Sequence, residues 1–180
     1  MPVGPSLHDA TKTFLERAEA LGFESLWVQE QLLGKDPSFE PIATLAYAAG
    51  LTERMTLATA TIVAPLRNPV ALAKQLATVD QLSGGRLLVG LSLGDVKRIY
   101  AACGVDMAHR VGRLQEAVQI LRGLWSYGPT RHAGRHWAFD DVEMEPKPGR
   151  HIPIWLGGGA PAAIQRAASI ADGWIGAGGS

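Results

Sequence analysis

Three short, largely apolar runs begin near residues 24, 55 and 86: ESLWV, MTLATATIV and RLLVGLSL. An amphipathic stretch fills each gap, and a recurrence of about thirty residues is the length of a strand–helix–strand unit. A helical crossover obliges its two strands to lie parallel, which removes hairpin-built sheets from consideration. The 55–63 run is β-branched and apolar on both faces, as a strand covered on both sides must be. The intervening helices carry their own punctuation. Residues 7–21 place Phe14, Leu15, Ala18 and Leu21 on one stripe, and Gly22 ends the helix. Residues 39–49 form a second helix stopped by Gly50. Asn68 caps a third helix, Pro69 opens it, and Gly84-Gly85 ends it. A fourth, 111–125, aligns Leu114, Val118, Leu121, Leu124 and Trp125.

After that helix the rhythm breaks. Residues 130–144 predict a hairpin turning at Ala133-Gly134, and 145–149 form a linker. A strand at 152–156, a helix to about 171 and a short strand at Trp174-Ile175 resume the pattern. Residues 1–6 are a loop or the remnant of a strand. The expected fold is therefore an α/β array of parallel strand–helix units in a single domain over 1–180, with one hairpin inserted.

The most chemically suggestive junction joins the strand at 152–156 to the helix that Pro161 opens. Gly157, Gly158 and Gly159 permit close backbone approach there, and Ala160 ends the turn. Free N–H groups at a helix start, aided by the helix dipole, make an anion site without any charged side chain. Donors are expected from Gly158, Gly159, Ala160, Ala162 and Ala163. The alternative is an ordinary strand-to-helix turn.

Composition narrows the partners. Basic and acidic residues number 17 each, so no bulk charge favours nucleic acid or an anionic membrane. The longest nearly apolar run, 57–66, is far below the ~20 residues of a membrane helix. One cysteine, Cys103, excludes an internal disulfide and fits a reducing compartment. With no basic-then-apolar leader, a cytoplasmic protein is expected. His132, His136 and His151 lack metal-ligand spacing and suit surface loops, so no metal site is expected.

The runs TFLERAEALGFESLW at 13–27, PLRNP at 65–69, AKQLATVDQLSGGR at 73–86, PIWLGGG at 153–159 and ADGW at 171–174 occur in one order. In that order and spacing the chain resembles the luciferase-like flavin- or deazaflavin-dependent oxidoreductases and monooxygenases. The resemblance implies a TIM-type barrel with its site at the C-terminal ends of the strands. It implies FMN or a deazaflavin as cofactor, a small-molecule substrate, and a homodimer or dependence on a partner chain. A closed barrel has eight strands and roughly 250 residues. About five are legible here, matching the family's second to sixth, so the barrel is expected to be incomplete. Such a chain is a fragment, a natural truncation relying on a partner, or a damaged gene product.

Carried over to this numbering, the resemblance puts the cofactor phosphate at Gly157, Gly158, Gly159 and the N–H of Ala160. It puts a bulge, often a cis non-proline bond, at Ala60-Thr61, with an ordinary strand end as the alternative. Gly94 lets the backbone approach the cofactor. Glu30 and Gln31 align with an Asp-His pair of deazaflavin members. Glutamate can serve as a base, whereas glutamine carries no proton at neutral pH, and Glu30 is otherwise a solvated loop carboxylate. Val96 and Ile99 replace polar residues. Arg67 meets a phosphate or a substrate acid, or else caps and packs beside Asn68-Pro69, and Arg110 and Glu116 are expected in structural ion pairs. Trp27, Trp125, Trp155 and Trp174 are expected in the core, with Trp137 lining a pocket. A non-catalytic flavin-binding or partner-dependent module is the other class of reading.

Overall fold

The computed structural model describes residues 6–35 and 37–176. The expected loop or strand remnant at 1–6 falls outside them except for Ser6. That residue caps α1 (Leu7–Ala20), its hydroxyl accepting the Asp9 N–H at 3.1 Å. Gly22 takes φ +85°, so Phe23 N–H reaches back to Ala18 O and Gly22 N–H to Glu19 O, both 3.1 Å, closing the helix with a left-handed cap.

Five strands lie parallel in the order β1 (Ser25–Val28), β2 (Thr56–Thr59), β4 (Leu87–Ser92), β7 (Ile154–Gly157) and β8 (Gly173–Ile175). The expected 55–63 strand is split. A cis peptide bond joins Ala60 to Thr61, and β3 (Ile62–Val63) beyond it pairs with β4 alone. Helices α2 (Pro41–Ala49), α3 (Pro69–Leu82), α5 (Arg110–Trp125) and α6 (Pro161–Ile170) cover one face. Leu57, Val89, Leu91, Ile154 and Leu156 meet Leu45, Leu76, Leu114, Val118 and Leu121 there in one buried cluster. Each such side chain contributes roughly 1.5–3 kcal/mol on burial, so this layer carries most of the stability.

At the N-terminal ends of the strands Arg86 gathers the loops. Its guanidinium donates to Thr52 O (2.7 Å), Met55 O (2.9 Å) and Ser83 O (2.7 Å), tying the ends of α2 and α3 to the start of β2. The opposite, C-terminal ends are left for function.

The inserted hairpin is β5 (Thr130–Ala133) and β6 (Ala138–Val142), antiparallel. Its turn spans 134–137, closed by Gly134 N–H to Trp137 O at 2.9 Å, rather than centring on Ala133-Gly134. Glu116 of α5 fastens it, accepting from the N–H groups of Arg135 (2.9 Å), His136 (3.1 Å) and Trp137 (3.2 Å) and facing His132 Nε2 at 3.3 Å. Glu116 is therefore a hairpin anchor, and the pairing expected of it is made with the His132 ring rather than, among the described residues, with an arginine. His132 is largely buried in this contact, not in a surface loop, and His136 is partly buried. A short helix, α4 (Lys97–Ala102), has no counterpart in the sequence-based expectation; its Tyr100 is buried and donates to Leu93 O.

The sheet's inner face is lined by Trp27 and Trp155, ring centroids 5.8 Å apart. Gly173 makes room: a Cβ there would stand 2.5 Å from the Trp155 indole nitrogen. Four tryptophans expected in the core divide differently. Trp125 and Trp155 are partly buried, whereas Trp27 is 40% exposed and Trp174 45%. Both lie on outermost strands of an open sheet, with no neighbouring strand to cover them. Phe14 and Leu21 of the α1 stripe are also exposed, and of that stripe only Leu15 is fully buried in the core.

Candidate cofactor site

At the C-terminal ends of β2, β4, β7 and β8 lies a pocket of about 480 Å³. Ala60, Thr61, Gly94, Gly157, Gly158, Gly159 and Ala160 all line it, although they come from three separate segments. Clefts of about 460 and 470 Å³ lie between α1 and α2 and at the opposite end of the sheet. Volume therefore does not single the site out; its chemistry does.

The glycine turn is built for approach. Gly158 has φ +145°, and a Cβ there would sit 2.8 Å from the Ala163 Cβ. Pro161 opens α6, and Ala160, the residue at its N-cap, offers no side-chain oxygen. Two of the five expected donors are already used: Gly158 N–H bonds Ile175 O (3.1 Å) and Ala163 N–H bonds Ala160 O (2.8 Å). Among the described residues, none accepts from the N–H groups of Gly159, Ala160 or Ala162. Three orphan donors at a helix start favour an anion.

Across the pocket, a Cβ on Gly157 would meet Thr61 Cγ2 at 3.0 Å. Gly94 takes φ +65°, and a Cβ there would lie 2.7 Å from Val63 Cγ1, so the absence of a side chain serves the packing of this wall as well as access. Arg110, first residue of α5, is the one cationic side chain lining the pocket. Its Nη1 donates to Met107 O at 3.2 Å, and among the described residues it joins no ion pair, contrary to expectation. The sequence signal was slight, a lone arginine at a helix start.

Glu30 and Gln31 are elsewhere. The Glu30 side chain is only 3% exposed, so it is not a solvated carboxylate. Its Oε2 accepts the Val63 N–H at 2.6 Å, and its Oε1 accepts from Arg67 Nε at 3.0 Å and from Nη2. Arg67 continues to Glu40 Oε1 at 2.8 Å instead of only packing beside Asn68-Pro69. Burial alone would lower the Arg67 pKa, but the hydrogen bonds and charges of Glu30 and Glu40 outweigh it and raise it. Gln31 lies against Gly34.

The remaining candidates are structural. Among the described residues no group of histidine, cysteine and carboxylate side chains is arranged to hold a metal. His151 pairs with Asp172 at 3.1 Å, Cys103 is half-buried, and Trp137 lies under Arg113 at 4.4 Å. Val96 is exposed. No helix among the described residues is long and apolar enough to cross a membrane.

A parallel strand–helix sheet with free N–H groups at the C-terminal ends of its strands defines a portion of a (β/α) barrel. The chain belongs to the luciferase-like monooxygenase family, whose model matches residues 4–180. It is 29% identical over 172 residues to the F420-dependent glucose-6-phosphate dehydrogenase of Kineococcus radiotolerans, covering 90% of this chain and 50% of that protein. It is 31% identical over 170 residues to the FMNH2-dependent dimethylsulfone monooxygenase of Pseudomonas fluorescens, covering 91% and 46%. Among solved structures, the monooxygenase RslO1 from Streptomyces bottropensis superposes with a TM-score of 0.83 at 28% identity, over 89% of this chain and 50% of that one. An F420-dependent secondary alcohol dehydrogenase holding an F420–acetone adduct gives 0.85 at 25%, over 96% and 54%. The chain thus spans about half the length of the relatives it matches.

Proposed function

We propose that this chain binds FMN or a deazaflavin of the F420 type and serves an oxidoreductase that acts on a small organic substrate, by oxygenation or by hydride transfer. The observation that carries the reading is the set of three orphan N–H groups at Gly159, Ala160 and Ala162, with Arg110 lining the same pocket. A phosphate fits that donor set, and the side chains that would block it are missing. When bound, the ring supplies the electron chemistry. This chain's own residues bind and orient. The glycine turn and Arg110 would hold the phosphate, and Ala60, Thr61, Leu93 and Ile175, which line the same pocket, would bound the space left for the ring. The named relatives work with F420 or FMNH2, which supports either cofactor.

Fluorescence titration tests the phosphate assignment. Gly159 has no positive φ, so Gly159→Val blocks the cradle without forcing the backbone. A charge-assisted hydrogen bond is worth ~1.5–3 kcal/mol, so FMN should weaken ~10-fold or more while riboflavin, which lacks the phosphate, changes little. Equal losses for both ligands, or none, would reduce the cradle to a turn.

A second reading, a non-catalytic or partner-dependent flavin-binding module, is favoured by the exposed apolar side chains Trp27, Phe39 and Trp174 near the sheet's edges. Turnover with reduced FMN across a substrate panel separates the two: binding without turnover favours the module.

A further inference from the structure

We propose that Glu30 is a positioning residue for the pocket wall, holding the Ala60–Val63 segment in place rather than carrying a proton; this rests on the cofactor reading above. The β1–β2 ladder ends where Ala60 N–H reaches Val28 O at 2.8 Å. Beyond Thr61 the chain runs as β3 beside β4 only, and β1 has already left the sheet. The Val63 N–H on that vacated side is taken by Glu30 Oε2 at 2.6 Å, so a side-chain oxygen stands where the next strand carbonyl would have been.

The same carboxylate holds the far end of the segment. After Val63 the chain makes a 3₁₀ turn, Ala64–Leu66, and Arg67 returns two donors to Glu30 Oε1. One buried group therefore pins residues 63 and 67 together. Arg67 extends the brace to Glu40, whose Oε2 accepts the Ala43 N–H at 2.7 Å at the start of α2. Arg113 Nε adds a bond to Pro65 O at 2.9 Å from the α5 side. What the brace positions is the pocket. The Val63 side chain is the surface against which Gly94 packs, and Thr61 meets Gly157. With its lone pairs directed at Val63 and Arg67, Glu30 has no oxygen turned to the pocket.

Glu30→Gln tests this, because the amide offers one acceptor and presents an NH2 group to donors that already need a partner. In the unliganded protein, amide hydrogen exchange at Val63 should rise ~10-fold or more, the order expected from a lost charge-assisted bond, while Leu91 in β4 stays protected. FMN and riboflavin should weaken by the same factor, since on the cofactor reading the wall would border the ring while the phosphate would lie at the glycine turn, and the induced circular dichroism of bound flavin should change. Arg67→Lys, which keeps the charge but loses the fork, should give the same pattern at smaller amplitude and serves if Glu30→Gln fails to fold. Unchanged Val63 exchange overturns the proposal, as do unchanged flavin affinity and dichroism in a folded variant. A wild-type chain that binds no flavin overturns the cofactor reading instead, and the exchange measurement still decides whether Glu30 holds the segment.

Discussion

Asp80 is the least comfortable residue in the molecule. It lies in the last turn of α3, 1% exposed, and among the described residues no donor reaches either carboxylate oxygen with good hydrogen-bond geometry, the Leu87 N–H being the backbone group that approaches it. The nearest cation, Arg150 Nη2, is 3.6 Å from Oδ1. Burial raises its pKa above the usual aspartate value of 3.8, and the Arg150 charge and the Leu87 N–H only partly oppose this. A folded-state pKa above the unfolded one means folding takes up a proton. Stability from this group is therefore greatest below 3.8 and declines as pH rises through the folded value. Asp80→Asn should raise Tm at pH 7 and leave it unchanged at pH 3, which paired thermal melts would check; a lower Tm at pH 7 would count against the assignment. Residues differ in how well sequence reveals them. The Gly157–Gly159 turn was legible because a strand, a run of glycines and a helix-opening proline stand in adjacent residues, whereas the Ala60–Thr61 bend was reached only through the family resemblance. Glu30 was not, because its partners are 33 and 37 positions away and its loop looks polar on paper.

The hairpin is tied to α5 chiefly through Glu116, which meets four of its groups. Desolvation pushes the Glu116 pKa up, but the N–H groups of His136, Arg135 and Trp137 and the His132 ring outweigh it, leaving the value below the usual 4.5. A depressed carboxylate stabilises fully above 4.5, and that contribution is lost as pH falls through the folded value. Glu116→Ala should cost ~3 kcal/mol, the order of one or two charge-assisted bonds, since the freed N–H groups recover water. Chemical denaturation at pH 7 would measure it, and the variant's deficit should shrink well below pH 4. The hairpin itself was readable because its polar alternation breaks the thirty-residue rhythm. Its anchor was not, and neither was α4, which follows Gly94 with no apolar stripe longer than two turns. The 55–63 run looked like one strand because both halves are apolar, and composition does not record the bend between β2 and β3.

At the scale of the whole molecule, five parallel strands form an open array with an outermost strand on each side, β1 and β8. The parallel order was legible from spacing alone. The uncovered faces were not, since an apolar stripe on α1 looks identical whether or not something covers it. Phe14, Phe23, Trp27, Leu33 and Phe39 are exposed in the segments flanking β1, and Ile164 and Trp174 beside β8. Exposed large apolar side chains gathered at both edges of a sheet favour an interface or aggregation. The isolated chain should therefore scatter light as an oligomer or associate with rising concentration, and a monodisperse monomer across a hundredfold range would contradict this. The indole pair of Trp27 and Trp155 gives the molecule a gauge of its own state. Both rings sit on the sheet's inner face and both are partly exposed, Trp27 the more so, and indole emission shifts to the blue when water leaves. Anything that seals the hollow would announce itself as a colour change in ultraviolet fluorescence, with no label attached and before any activity is assayed.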